Sequence, residues 1–270
     1  MAVKQIYKSA WDIDGQYILK RGGDRAVLEK SMRLSALLAA RGIPVPEYIG
    51  GIVPSDGAYF VLMKKMPGQS FDPYKGNPYE NGVMLGRLVA QLHAALREIP
   101  DDFDCPDADC MRDLDEYIVP EVPVSKDVLE YCRAFGPLYE ALPRQLIHRD
   151  VHTSNMLFEH GVFTGWLDFD ISQKNVRLFD ICYLAGSQLV GNYRKPWRLR
   201  MWREIFRGVL QGYDEISPLT AQEREAVPHM FVHIEVLFAA FFSKNGQEKT
   251  SKNCLNMAKW LYRHRGILTP

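Results

Sequence analysis

The sequence predicts an α+β protein, with a small antiparallel β lobe carrying one helix followed by a larger, mostly helical lobe. Three observations predict it. Up to about residue 66, short apolar runs alternate with turn residues around a single helical stretch. Beyond Met66, Pro67 and Gly68 the apolar spacing becomes helical for most of the remaining chain. Residues 145–170 interrupt that pattern with a compact run of loop and strand signals. The expected division is therefore residues 1–66 as the small lobe and 67–270 as the large one.

Residues 3–11 read as one strand, and Asp14-Gly15 is a hairpin turn that returns the chain as a second strand over 16–20. Asp24 offers its side chain as the cap of a helix running to about Ala40. Val27, Leu28, Leu34, Leu37 and Leu38 share one face of that helix, and Gly42 ends it. Pro44 and Pro46 then force extended chain. A second hairpin pairs residues 48–53 with 58–64 across Pro54, Ser55, Asp56 and Gly57. In the large lobe, residues 79–97 space Val83, Leu85, Leu88, Val89, Leu92 and Leu96 as a helix, with Gly82 and Gly86 allowing a close neighbour. Residues 101–116 carry eight acidic residues against one arginine and read as a surface loop. Further helices are expected over 129–142, 197–213, 221–242 and 253–265, with helical character from Phe179 onward.

Lys plus Arg and Asp plus Glu each number 33, so no excess charge draws the chain to nucleic acid or to a membrane surface. Neither is an expected partner, and no protein partner is evident. Cys105, Cys110, Cys132, Cys182 and Cys254 show no paired ligand spacing, which speaks for free thiols in a reducing compartment. Residues 1–14 lack the layout of a signal peptide, and the longest uncharged stretch, residues 181–193, is too short to span a bilayer. The expected location is cytoplasmic.

Chemistry concentrates in residues 147–170. Asp150, Asn155 and Asp168 place three hard oxygen donors on a short loop and on the hairpin that follows it. Phosphoryl transfer needs such a set: one carboxylate to orient and deprotonate an acceptor hydroxyl, and oxygen ligands to hold Mg²⁺ against phosphates. A hairpin of this length returns Asp168 close to Asn155, as a shared metal requires.

His148-x-Asp150-x4-Asn155, followed by Leu167-Asp168-Phe169-Asp170, resembles the catalytic loop and metal motif of the aminoglycoside phosphotransferases, choline kinases and homoserine kinases. The likeness runs from Tyr17 to about Leu189. It implies a protein-kinase-like fold and an ATP-dependent phosphotransferase, a kinase acting on a hydroxyl of a small molecule such as an aminoglycoside, amino alcohol or sugar. It implies Asp150 as catalytic base, Asn155 and Asp168 as Mg²⁺ ligands, and Asp170 as a further ligand or a support behind them. Asp180 matches the aspartate that opens a helix and steadies the catalytic loop. Lys20 sits where the family's strand lysine meets the α- and β-phosphates of ATP or another nucleoside triphosphate, and Glu29 is the helix glutamate that pairs with it. Lys64, Lys65 and Met66 form the hinge whose backbone meets the base, with Lys64 and Met66 at its ends. His93 and His152 each read either as a satisfied polar group or as a proton shuttle, and neither is placed among the catalytic residues.

Two departures bear on function. His148-Arg149-Asp150 is spelled as in protein kinases, but only nine residues separate Asp170 from Asp180, too few for an activation segment that holds a peptide. A small-molecule acceptor is therefore expected. With residues 3–11 read as one strand, no glycine-rich hairpin precedes Lys20, so the small, nucleotide-binding lobe is expected to be abbreviated at its start. That keeps open the alternative of a pseudokinase or nucleotide-binding scaffold.

Overall fold

The computed structural model describes residues 2–269. The chain forms two compact units, and neither is continuous in sequence. The first comprises the chain up to Asp72, Ala95–Cys105 and Asp150–Ser172; the second comprises Pro73–Ala94, Pro106–Arg149 and the chain from Gln173. Residues 150–172 thus cluster with the first unit, whereas the sequence reading assigns everything after residue 66 to the large lobe.

The core of the first unit is a five-stranded antiparallel sheet, β1 (Val3–Tyr7), β2 (Ala10–Ile13), β3 (Tyr17–Gly22), β4 (Tyr48–Ser55) and β5 (Ala58–Lys64), in the order β1-β2-β3-β5-β4. The single strand expected over 3–11 is two strands. Tyr7 pairs with Ala10 across a turn at Lys8 and Ser9, and a register irregularity between Gln5 and Tyr7 takes up the bend. This corrects the expectation of an abbreviated lobe. The turn contains no glycine, and neither turn residue has positive φ, so the usual hairpin signal is missing from the sequence. At the β4–β5 hairpin Asp56 and Gly57 both take positive φ, and Ser55 pairs with Ala58. Pro54 is tolerated because β4 is an edge strand.

Helix α1 (Arg25–Ala39) begins as expected, with the Asp24 carboxylate accepting from Ala26 N–H at 2.8 Å. Its buried face is Leu28, Ser31, Leu34, Ser35 and Leu38. A short hairpin, Met156–Glu159 with Val162–Trp166, turns at His160 and Gly161. Trp166 N–H donates to Pro44 O at 2.9 Å, and Thr164 donates to Pro67 O at 2.6 Å. Phe71, Phe158, Phe163 and Trp166 form a continuous aromatic run behind this hairpin.

The second unit is built on helices. Pro78–Arg97, as far as Ala94, and Pro196–Asp214 meet backbone to backbone: a Cβ on Gly82 or Gly86 would strike the carbonyl of Ile205 or Val209, and one on Gly208 or Gly212 that of Tyr79 or Val83. Ala221–Lys244 opens with a reciprocal cap between Thr220 and Glu223. It is long and apolar enough to cross a membrane by composition, but 67% of the apolar window is buried within the protein, as in a core helix. Glu223 also binds Arg177 through two hydrogen bonds of 2.6 and 2.8 Å, a buried ion pair. The helix expected over 129–142 is broken into Lys126–Arg133 and Gly136–Glu140, where Gly136 and Pro137 interrupt it. The acidic stretch is more ordered than a plain loop. Asp109 caps Cys110–Asp113, a π-helical turn Leu114–Ile118 follows, and Cys110, Leu114 and Ile118 are buried.

Candidate active site

The approach to Asp150 is fixed by a buried network in the second unit. Strand Arg144–Ile147, paired with Gln173–Val176, delivers the chain to His148 and Arg149. Their backbone N–H groups donate to the two oxygens of Asp180 at 2.9 and 2.8 Å. Arg149 takes φ +70°, a conformation costly for a residue with a side chain, and these bonds hold it there. Asp180 lies in the first turn of helix Leu178–Leu189 and is fully buried. His93 Nε2 lies 3.0 Å from its Oδ2, while His93 Nδ1 lies 2.8 Å from Tyr213 Oη. With the carboxylate accepting the Nε2 proton, the Tyr213 hydroxyl donates to Nδ1. Burial pushes the Tyr213 phenol up, which keeps its proton in place. His93 is thus a buried link between Asp180 and Tyr213.

In the first unit, Asp150, Asn155, Asp168 and Lys20 line one cavity of about 470 Å³. Asn155 ends a 3₁₀ turn, Thr153–Asn155, and its Nδ2 donates both to Asp150 O at 3.0 Å and to Asp150 Oδ2 at 2.9 Å. Leu167 N–H donates to Asn155 O at 2.9 Å, so the returning hairpin sets Asp168 beside the loop. Asp168 itself has φ +62°. Lys20 Nζ bridges the two carboxylates, 2.9 Å from Asp168 Oδ1 and 2.8 Å from Asp170 Oδ2. Burial works to lower the Lys20 pKa, but Asp168 and Asp170 outweigh it and the net shift is upward. The ammonium therefore stays charged across the physiological range.

Glu29 is not brought to Lys20. It is exposed and pairs with Arg25 one turn back at 2.7 Å. The reason is the register of α1. Two buried polar residues, Ser31 and Ser35, belong to the inward face with Leu28, and that rotation leaves Glu29 outside. Ser31 meets Tyr48 Oη at 3.3 Å, and the neighbouring Lys30 donates to Ser172 O at 2.8 Å. The partners of Lys20 are the two carboxylates of the 168–170 segment.

The cavity has apolar walls from Ile18, Tyr48, Met63 and Leu167. Lys64 and Met66 also line it, with the Lys64 ammonium paired to Glu47 at 2.7 Å. The Lys64 and Lys65 N–H groups are committed to Glu47 O and Gln16 O, each at 2.9 Å. Ile6, Tyr7, Ser9 and Ala10, from the hairpin that the sequence reading did not resolve, also line the cavity.

The donor set fits a hard divalent cation. Asp170 Oδ1 is buried without a hydrogen-bond partner, an arrangement that is costly unless a ligand meets it. Asn155 spends its amide N–H₂ on Asp150, which leaves its carbonyl oxygen as a donor to metal. Among the described residues no group of three or more His, Cys, Asp and Glu side chains forms a metal cage. Two carboxylates and an amide are the sparse set Mg²⁺ takes when phosphate oxygens and water complete its shell.

The model of the phosphotransferase enzyme family matches residues 6–219. The chain belongs to that family. The match takes in part of the β1–β2 hairpin. This phosphotransferase is 26% identical over 232 residues to homoserine kinase from Polaromonas naphthalenivorans, spanning 79% of this chain and 70% of that protein. The GDP complex of wild-type aminoglycoside 2'-phosphotransferase-IIIa superposes with a TM-score of 0.72 at 17% identity, over 98% of this chain and 93% of the other. A microcompartment-associated aminopropanol kinase superposes with a TM-score of 0.71 at 16% identity, over 100% and 94%. The phosphotransferase therefore has the protein-kinase-like fold, and it is a kinase acting on the hydroxyl of a small molecule.

Proposed function

We propose that this phosphotransferase moves the γ-phosphoryl group of ATP to the hydroxyl of a small amino alcohol or hydroxy amino acid in the cytoplasm. One observation carries the mechanism: a candidate base, Asp150, shares a cavity with Lys20 and Asp168, and Lys20 is paired with both Asp168 and Asp170. The Asp150 carboxylate receives the acceptor's proton as its oxygen attacks phosphorus. Lys20 leaves its carboxylate partners for the α- and β-phosphates. Asn155, Asp168 and Asp170 hold Mg²⁺, which when bound neutralises phosphate charge. The adenine lies between Ile18, Met63 and Leu167, its edge towards Met66, whose neighbours Lys64 and Lys65 have their amides engaged elsewhere. The hairpin carrying Ser9 covers the phosphates with backbone in place of a glycine-rich loop.

The acceptor class is supported by the homoserine kinase relatives and by the fold shared with an aminopropanol kinase. The cytoplasmic setting is supported by five free cysteines, four of them buried. The test is acceptor-dependent ADP release by the purified protein with homoserine, amino alcohols, aminoglycosides and sugars, and the product read by phosphorus NMR. A phosphate ester of an amino alcohol or hydroxy amino acid is expected. Release from none of the acceptors, or from sugars alone, overturns the reading. Asp150→Asn should abolish that release while Mg²⁺·ATP still raises the melting temperature.

A further inference from the structure

His152 lies two residues beyond Asp150 and caps the 3₁₀ turn that carries Asn155. Its Nδ1 accepts a hydrogen bond from Ser154 N–H at 3.2 Å. A ring nitrogen that accepts from an amide carries no proton, so the proton of the neutral ring sits on Nε2. Nε2 is 3.5 Å from Asp150 Oδ1, and both residues line the cavity. The other oxygen of Asp150, Oδ2, is already held by Asn155 at 2.9 Å. The two holders are tied to each other, because Asn155 N–H donates to His152 O at 2.9 Å. One short turn therefore sets a nitrogen near each oxygen of the same carboxylate, Asn155 Nδ2 at Oδ2 and His152 Nε2 at Oδ1.

We infer that His152 is a positioning residue that orients Asp150 through its Nε2 proton, with the tautomer set by the Ser154 amide. The inference rests on the reading of Asp150 as base. At 3.5 Å the contact is longer than a formed hydrogen bond; catalytic hydrogen bonds are commonly long before substrate arrives and tighten in the reacting complex.

The experiment separates reach from capping. His152→Asn keeps an oxygen for the Ser154 amide but is too short for Asp150; His152→Gln has the reach but is a poor cap. Removing the contact, in His152→Ala or His152→Asn, should lower kcat about 10- to 100-fold with the KM for ATP unchanged. His152→Gln should recover most of that loss. In an Asp150→Asn background, His152→Ala should have no further effect. Mg²⁺·ATP thermal shifts confirm that each variant is folded. The inference fails if His152→Asn equals or exceeds His152→Gln in kcat, if His152→Ala keeps wild-type turnover, or if the loss falls on the KM for ATP. Asp150→Asn alone distinguishes the two readings. Retained turnover there removes the base assignment and this inference with it, whereas an inactive Asp150→Asn beside a fully active His152→Ala removes the inference only.

Discussion

Asp180→Asn tests whether the loop before Asp150 is held by the buried carboxylate. Oδ2 accepts from His148 N–H at 2.9 Å and lies 3.0 Å from His93 Nε2, and Oδ1 accepts from Arg149 N–H at 2.8 Å. An asparagine has one acceptor oxygen. With that oxygen in the Oδ2 place, the Arg149 amide faces an NH₂ group; with it in the Oδ1 place, His148 and His93 do. At least one buried donor is orphaned, and the remaining bonds lose their charge. Together these cost about 2–4 kcal/mol. For a chain of this size that lowers Tm by roughly 5–15 °C. The functional loss should be larger in proportion. Arg149, at φ +70°, is anchored through its amide to Asp180, and its release misplaces the adjoining Asp150. A misplacement near 1 Å costs about 100-fold in kcat. Thermal unfolding and steady-state turnover on the same preparation give both numbers. If Tm falls as expected while kcat stays at wild type, the network stabilises the fold without positioning the loop. If neither changes, the hydrogen-bond account is wrong.

Three further perturbations have definite outcomes. Asn155→Ala and Asp168→Ala should each weaken the stabilisation by Mg²⁺·ATP in a thermal-shift titration, since each removes one hard oxygen; unchanged shifts in both would count against a shared metal site. Gly86→Ala should destabilise despite the roughly 1 kcal/mol that alanine gains in a helix, because its Cβ meets the Val209 carbonyl and overpacking costs about 1–3 kcal/mol or more; a higher Tm would refute the close contact. Burial pushes Glu235 up to about 8, so the folded state holds a proton that the unfolded chain releases near its ordinary value. That contribution is full below about pH 4.5 and is lost as the pH rises to 8. Glu235→Gln should therefore gain stability relative to wild type between pH 5 and 8, as read by urea unfolding, and a constant difference would show that Glu235 is not buried as a neutral acid.

The nearness of the expected oxygen donors was legible where it is local in sequence. Asp150 and Asn155 lie on one turn and Asp168 on the next hairpin, so their spacing alone brings them together, and the structure places all three on one cavity. The helix cap at Asp24 and the positive-φ turns at Asp14-Gly15 and Asp56-Gly57 were legible for the same reason. What the sequence misjudged depended on longer-range choices. The β1–β2 turn uses Lys8 and Ser9, which carry no turn signature, and only pairing of Tyr7 with Ala10 in a growing sheet selects it. The rotation of α1 could not be read from its leucines, because Ser31 and Ser35 are buried on the same face and tip Glu29 into solvent.

By itself the sequence determined the approximate position of most helices, the turns at Asp14-Gly15 and Asp56-Gly57, and the nearness of Asp150, Asn155 and Asp168, because these follow from periodicity, turn chemistry and short spacing. Only the tertiary structure decided which partners Lys20 takes, that a hairpin without glycine pairs β1 with β2, and that His93, Tyr213 and Asp180 form one buried chain. Asp180 is 87 residues from His93, and Lys20 is 148 from Asp168. No local preference encodes contacts at such separations. They are settled when burial forces each charge and each polar hydrogen to find a partner.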